Sequence, residues 1–153
     1  MKQTIYLDTS VLSAYYDERN LERQKLTREF WKKLATLDVF ISSLVLTEIE
    51  GLKDDNKKRS LLRLLEGSEA LTINDECERL AREYVAQGII PKKYVDDARH
   101  IAVAVVNSID YLVSWNFEHI VKVKTRRMVG LVDAEKGYKI GRASCRERVC
   151  QYV

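Results

Sequence analysis

Asp8, Glu48 and Asp97 are carboxylates in apolar company. Asp8 follows the strand-like run TIYL, so it is either a turn or cap aspartate or a side chain presented at a strand end. Asp97 shares helical spacing with Ile101, Ala104 and Val105, in line with a buried stripe where an unpaired charge is costly. Its neighbour Asp96 aligns with His100 and Asn107 on a more polar face and reads as solvated. Glu48 has Leu44, Val45 and Ile49 around it at helical spacing. Such acids are tolerated either as buried ion pairs with lysine or arginine, or by converging on a cation. Two like charges about 4 Å apart repel by roughly 4 kcal/mol at an effective dielectric near 20. With hard oxygen donors and no cluster of Cys or His, the cation would be Mg²⁺ or Mn²⁺. A fourth oxygen donor is expected just past the strand at 111–114. Asn116 stands there and can offer an amide oxygen or orient a water, although asparagine in loops more often serves turns. Asp110 precedes that strand and should lie roughly 20 Å away, at the opposite edge of the sheet.

The elements that must position these groups follow from periodicity and turn chemistry. Residues 4–7 read as a buried strand, followed by a helix capped by Thr9 or Ser10. Leu26, Phe30, Leu34 and Leu37 predict an amphipathic helix over 21–37. A strand at 39–41 leads into a helix capped by Ser42 or Ser43 and running to about Glu50. After the polar break 53–56 come a helix at 57–65 and a weak strand at 69–73. Asp75 is placed to cap a helix that runs to about Gln87 and stops at Gly88. Pro91 suits the first turn of the helix that carries Asp97, with Ala98, Ile101, Ala102, Ala104 and Val105 on its apolar side. Strands alternating with helices predict an α/β fold: a central, mainly parallel sheet of four to five strands with helices on both faces. Such sheets bind ligands outside the carboxyl ends of their strands. The first strand-to-helix turn, Asp8-Thr9-Ser10, has no Gly-rich phosphate loop, which argues against a nucleotide-binding domain.

Composition sets the limits around this reading. The 153 residues are 46% hydrophobic and 32% charged, as in an ordinary globular domain, and leave room for one core. The longest apolar runs, such as 101–106, fall far short of the roughly 18 residues a membrane span needs. Lys2 leads into a strand and not into an apolar leader, so a cytoplasmic location is expected. Residues 140–149 read IGRASCRERV, which looks like the translation of a sequencing-library adapter. The domain is therefore expected over 1–139, with 140–153 a non-native tail; a basic C-terminal arm is the alternative. Arg142, Arg146 and Arg148 against Glu147 carry +2 of the formal +3, so the basic balance is no argument for nucleic acid. Cys145 and Cys150 go with the tail, leaving Cys77 alone and no intramolecular disulfide.

Four segments together resemble the PIN-domain nucleases, and in particular the VapC-type toxins of toxin–antitoxin pairs. They are YLDTSVLSAYYD at 6–17, ISSLVLTEIE at 41–50, DDARHIAVA at 96–104 and DYLVSWNFEHI at 110–120. No one motif is specific, but their order and spacing are. The resemblance implies a PIN-like fold and hydrolysis of RNA phosphodiester bonds. It places Asp8, Glu48 and Asp97 on the family's metal-binding acids and Ser10 on a hydroxyl that supports the first acid. It also implies a cognate antitoxin and a homodimer. Two departures stand out. Asn116 occupies a position often held by a fourth acid, which puts a second metal in doubt. The family's last apolar strand should begin near Tyr138, where the adapter-like run takes over, so the native C-terminus is expected to be missing. In this frame Asp8 and Asp97 would hold Mg²⁺, Glu48 would position or deprotonate the nucleophile, and Asn116 would orient water. Lys122, Lys124, Arg126 and Arg127 form a basic cluster that either follows a phosphate backbone or is simply solvated. Two other readings stand beside this one. A phosphatase with an aspartyl nucleophile would need a second acid two residues on, where Ser10 stands. A catalytically weakened RNA- or protein-binding module is kept open by Asn116.

Overall fold

The computed structural model describes residues 2–116, 118, 120 and 122–138. The tail at 140–153 lies outside them, as does the start of any strand just beyond Tyr138. Four strands, β1 (Thr4–Leu7), β2 (Asp38–Ser42), β3 (Glu69–Leu71) and β4 (Tyr111–Val113), form one sheet in the order β3-β2-β1-β4. All neighbours are parallel, with Tyr6 opposite Phe40 and Leu112, and Ile41 opposite Ala70. The predicted parallel α/β sheet is thus present, with four strands among the described residues.

The chain leaves β1 toward β2 and β3, then returns across β1 to place β4 on its other side. The strand order therefore reverses beside β1, and the crevice at the carboxyl ends of β1 and β4 is the switch point where such sheets take ligands. Right-handed crossovers put α1 (Thr9–Tyr16), α2 (Leu21–Trp31), α3 (Ser43–Glu50) and α4 (Asp55–Leu64) on one face. They put α5 (Asp75–Ala86) and α6 (Val95–Val106) on the other, where α7 (Val123–Glu135) packs against α5. Ile5, Tyr6, Leu7, Val11, Val45, Ile49, Leu80, Tyr84, Ile101 and Leu112 fill the core between these layers.

Several local expectations are corrected. Asp8 itself caps α1, its carboxylate accepting from Val11 N–H, and neither Thr9 nor Ser10 does so. Asn74, one residue before Asp75, caps α5 by accepting from Cys77 N–H. The helix expected over 21–37 ends at Trp31. Lys33 N–H bonds back to Phe30 C=O, tightening the chain into a 3₁₀ turn at Leu34–Thr36 that redirects it into β2. Pro91 precedes a 3₁₀ turn, Lys92–Tyr94, instead of sitting inside α6. The helix α7 was not predicted. Among its described side chains Thr125, Val129, Val132 and Asp133 are buried, and two polar residues among these four make a weak apolar stripe.

Candidate active site

The strand-to-helix turn after β1 is built around the Asp8 carboxylate, which is only 3% exposed. Its Oδ1 accepts from Ser10 Oγ at 2.5 Å and from Val11 N–H at 3.3 Å, and its Oδ2 accepts from Ser114 Oγ at 2.6 Å. Burial lifts this carboxyl above its ordinary range, while the charge of His100 and these hydrogen bonds pull the other way. The turn after β4 is tied to the same centre. Trp115 N–H donates to Ser10 Oγ at 2.9 Å and Asn116 N–H to Ser114 Oγ at 2.8 Å. Asp8 is thus both the cap that turn chemistry allowed and the residue at the mouth of the crevice. Among the described residues it has no lysine or arginine ion pair, so the buried-pair alternative does not describe it.

Glu48, on the last turn of α3, is held from α6. His100 Nε2 lies 2.9 Å from Glu48 Oε1, and His100 Nδ1 lies 2.6 Å from Tyr6 Oη, which in turn lies 2.8 Å from Ser42 Oγ. With Nε2–H donating to the carboxylate, a neutral ring accepts at Nδ1 from the Tyr6 hydroxyl. Burial pushes the imidazole pKa down. The hydrogen bond to Glu48 and the charges of Asp8, Glu48 and Asp97 outweigh it, and the net direction is upward. Burial also raises the Tyr6 phenol, which stays an O–H donor. Glu48 on α3 is thus bonded directly to a buried imidazole of α6, and the charges of Asp8, just after β1, and Asp97, on α6, favour its protonation.

His100 and Tyr6 are the site residues that periodicity missed. His100 was expected on a polar face with Asp96, but it is 3% exposed. The reason is that α6 is buried nearly all round, from Ala98 to Val105, so an amphipathic phase does not describe it. A histidine within the run RHIAVA was the available signal. Asp96 is exposed and pairs with Arg99 at 2.6 Å, while Arg99 also reaches Glu78 at 2.7 Å; Asp97 is half-buried. Asp110 accepts from Thr4 N–H at 2.9 Å, at the start of β1 and far from the crevice, as expected.

The basic cluster is divided. Lys122 and Lys124 line a cavity of about 280 Å³ with Gly88, Pro91, Glu118 and Thr125, whereas Arg126 and Arg127 do not.

The donors suit a hard cation in kind: carboxylate oxygens and the amide of Asn116. They do not form a closed cage, because no three His, Cys, Asp or Glu side chains among the described residues are arranged to hold a metal directly. Mg²⁺ keeps several waters and is commonly held through one or two carboxylates, so an open set of this kind fits it better than a fully dehydrated site.

An open parallel sheet with a buried aspartate at its switch point describes a class of α/β domains that take ligands at that edge. Over residues 5–122 the chain matches the PIN domain, and it belongs to that family of nucleases. No curated protein matches it in sequence. Among solved structures it resembles a toxin–antitoxin complex from Klebsiella pneumoniae, with a TM-score of 0.61 and 14% identity over 79% of this chain and 93% of that one. It also resembles VapC20 of Mycobacterium tuberculosis, described as a sarcin–ricin loop cleaving toxin, with a TM-score of 0.58 and 16% identity over 90% and 98%. A third is the DNA-bound VapBC of Salmonella typhimurium, with a TM-score of 0.55 and 20% identity over 78% and 90%. At these identities the likeness is one of fold. Among the described residues no helix is long and apolar enough to cross a membrane.

Proposed function

We propose that this protein is a Mg²⁺- or Mn²⁺-dependent endoribonuclease, the VapC-type toxin of a toxin–antitoxin pair. The observation that carries the reading is the buried Asp8 carboxylate at the sheet's switch point in a PIN-family chain, with Glu48 held by His100. Asp8 and Asp97 would hold the ion, directly or through water, with Ser10 and Ser114 orienting the Asp8 oxygens. When bound, a divalent ion neutralises charge on the scissile phosphate and makes water more acidic. Glu48 has Oε1 committed to His100, which leaves Oε2 to position the attacking water or take its proton. The water oxygen forms a new P–O bond as the bond to the leaving sugar oxygen breaks. Asn116 would orient water, and Lys122 and Lys124 would contact the RNA backbone. The same reading includes a cognate antitoxin, a homodimer and a cytoplasmic location.

Purified protein should cleave single-stranded RNA with Mn²⁺ or Mg²⁺ and stop when EDTA is added. The absence of a closed cage and the neutral Asn116 favour one second reading, an RNA- or protein-binding module with a weakened site. RNA binding without cleavage at any divalent ion would select that second reading.

A further inference from the structure

Arg23 lies in the first turn of α2, where Asn20 caps its backbone N–H. Its guanidinium carbon lies 4.6 Å from the centroid of the Trp115 ring. That ring is fixed: Nε1–H donates to Thr27 Oγ1 at 2.9 Å, and Thr27 Oγ1 donates to Arg23 C=O at 2.7 Å. The Trp115 backbone N–H bonds Ser10 Oγ, the hydroxyl that also donates to Asp8. Arg23 is therefore mounted on the loop that carries Ser114 and Asn116 and is locked to the Asp8 turn.

Stacking uses the face of a guanidinium and leaves its N–H donors at the edge. Arg19 and Arg99 spend theirs on carboxylates. Arg23 has no ion pair among the described residues, and its Nε is buried without an acceptor. Arg23 as a whole is only half-buried, so part of its side chain stays accessible to a ligand. Beside a loop locked to the Asp8 turn, an arginine held against the Trp115 ring supplies a local attractive charge with forked geometry.

We propose that Arg23, held on Trp115, is a substrate-binding residue that takes a backbone phosphodiester of single-stranded RNA next to the scissile one. This assignment rests on the ribonuclease reading above. The test is binding of a short fluorescein-labelled single-stranded RNA, in EDTA, by anisotropy between about 50 and 200 mM NaCl. Wild-type protein, Arg23→Ala and Arg23→Lys would be compared, with thermal melts as controls for folding. Arg23→Ala should lower the slope of log K against log salt by about 0.7, one phosphate contact on a single strand. In Mn²⁺ it should raise KM about tenfold with kcat within about twofold, as loss of uniform binding does. Arg23→Lys should restore the slope and only part of KM, because a point charge replaces the fork. An Arg23→Ala protein with wild-type slope and KM overturns the proposal, as does a lowered melting temperature with an unchanged slope. A wild-type chain that binds no RNA overturns it too. If wild-type protein binds RNA with the expected slope change but cleaves nothing, Arg23 stands and the nuclease reading falls.

Discussion

Asp96 and Asp97 are chemically identical neighbours, yet they occupy different electrostatic settings. Asp96 is exposed and already neutralised by Arg99, whereas the charge of Asp97 bears on the buried His100. Asp97→Asn should reduce metal-dependent cleavage by about 10²-fold or more, the scale of losing one group that stabilises the transition state. Asp96→Asn should stay within about threefold, as expected for an exposed pair. Parallel cleavage assays on the two folded variants decide the matter, and a dead Asp96→Asn with an active Asp97→Asn would move the site to the other aspartate.

Between elements, α7 is joined to α5 through a buried carboxylate. Tyr84 Oη donates to Asp133 Oδ1 at 2.5 Å, and Tyr138 Oη reaches Glu76 Oε1 at 2.7 Å. Burial pushes Asp133 up to about 6, against the hydrogen bond from Tyr84, which lowers it. A carboxyl whose folded pKa is raised binds protons more tightly in the folded state. Its contribution to stability is fully present below about 4 and is lost as pH rises through about 6. Asp133→Asn keeps an acceptor for Tyr84 and removes the titration. The variant should therefore melt above wild type at pH 8, with the gap closing as pH falls from about 6 to about 4. A gap that does not vary with pH would show that Asp133 does not titrate in this window.

For the whole molecule, the proposed metal site predicts a fold that responds to cations. A divalent ion that binds only the folded chain should stabilise it by about 2.7 kcal/mol at a hundredfold excess over Kd. Melting curves with Mn²⁺ and with EDTA should differ in wild type, and the difference should shrink in Asp97→Asn. Asp97→Asn should also melt no lower than wild type in EDTA, since it removes one of the like charges around Asp8 and Glu48. Equal melting temperatures with and without the ion, in wild type and variant alike, would count against a metal site.

Much of this architecture was legible along the chain, because strand and helix periods and their order are local properties. TIYL before Asp8 and the alternation of short strands with longer helices sufficed for a parallel α/β sheet with Asp8 at a strand end. The acids Glu48 and Asp97 stood out by the same means, as charges in apolar stripes. Periodicity cannot say what lies on the far side of a helix, however. The docking of α6 beside β1 and α3 is what brings the buried His100 to Tyr6 and Glu48. The cavity that Lys122 and Lys124 share with Gly88 and Pro91, the stacking of Arg23 on Trp115 and the bond from Ser114 to Asp8 likewise join residues far apart in sequence. Those contacts depend on how the layers dock, which is a property of the assembled core and not of any one segment.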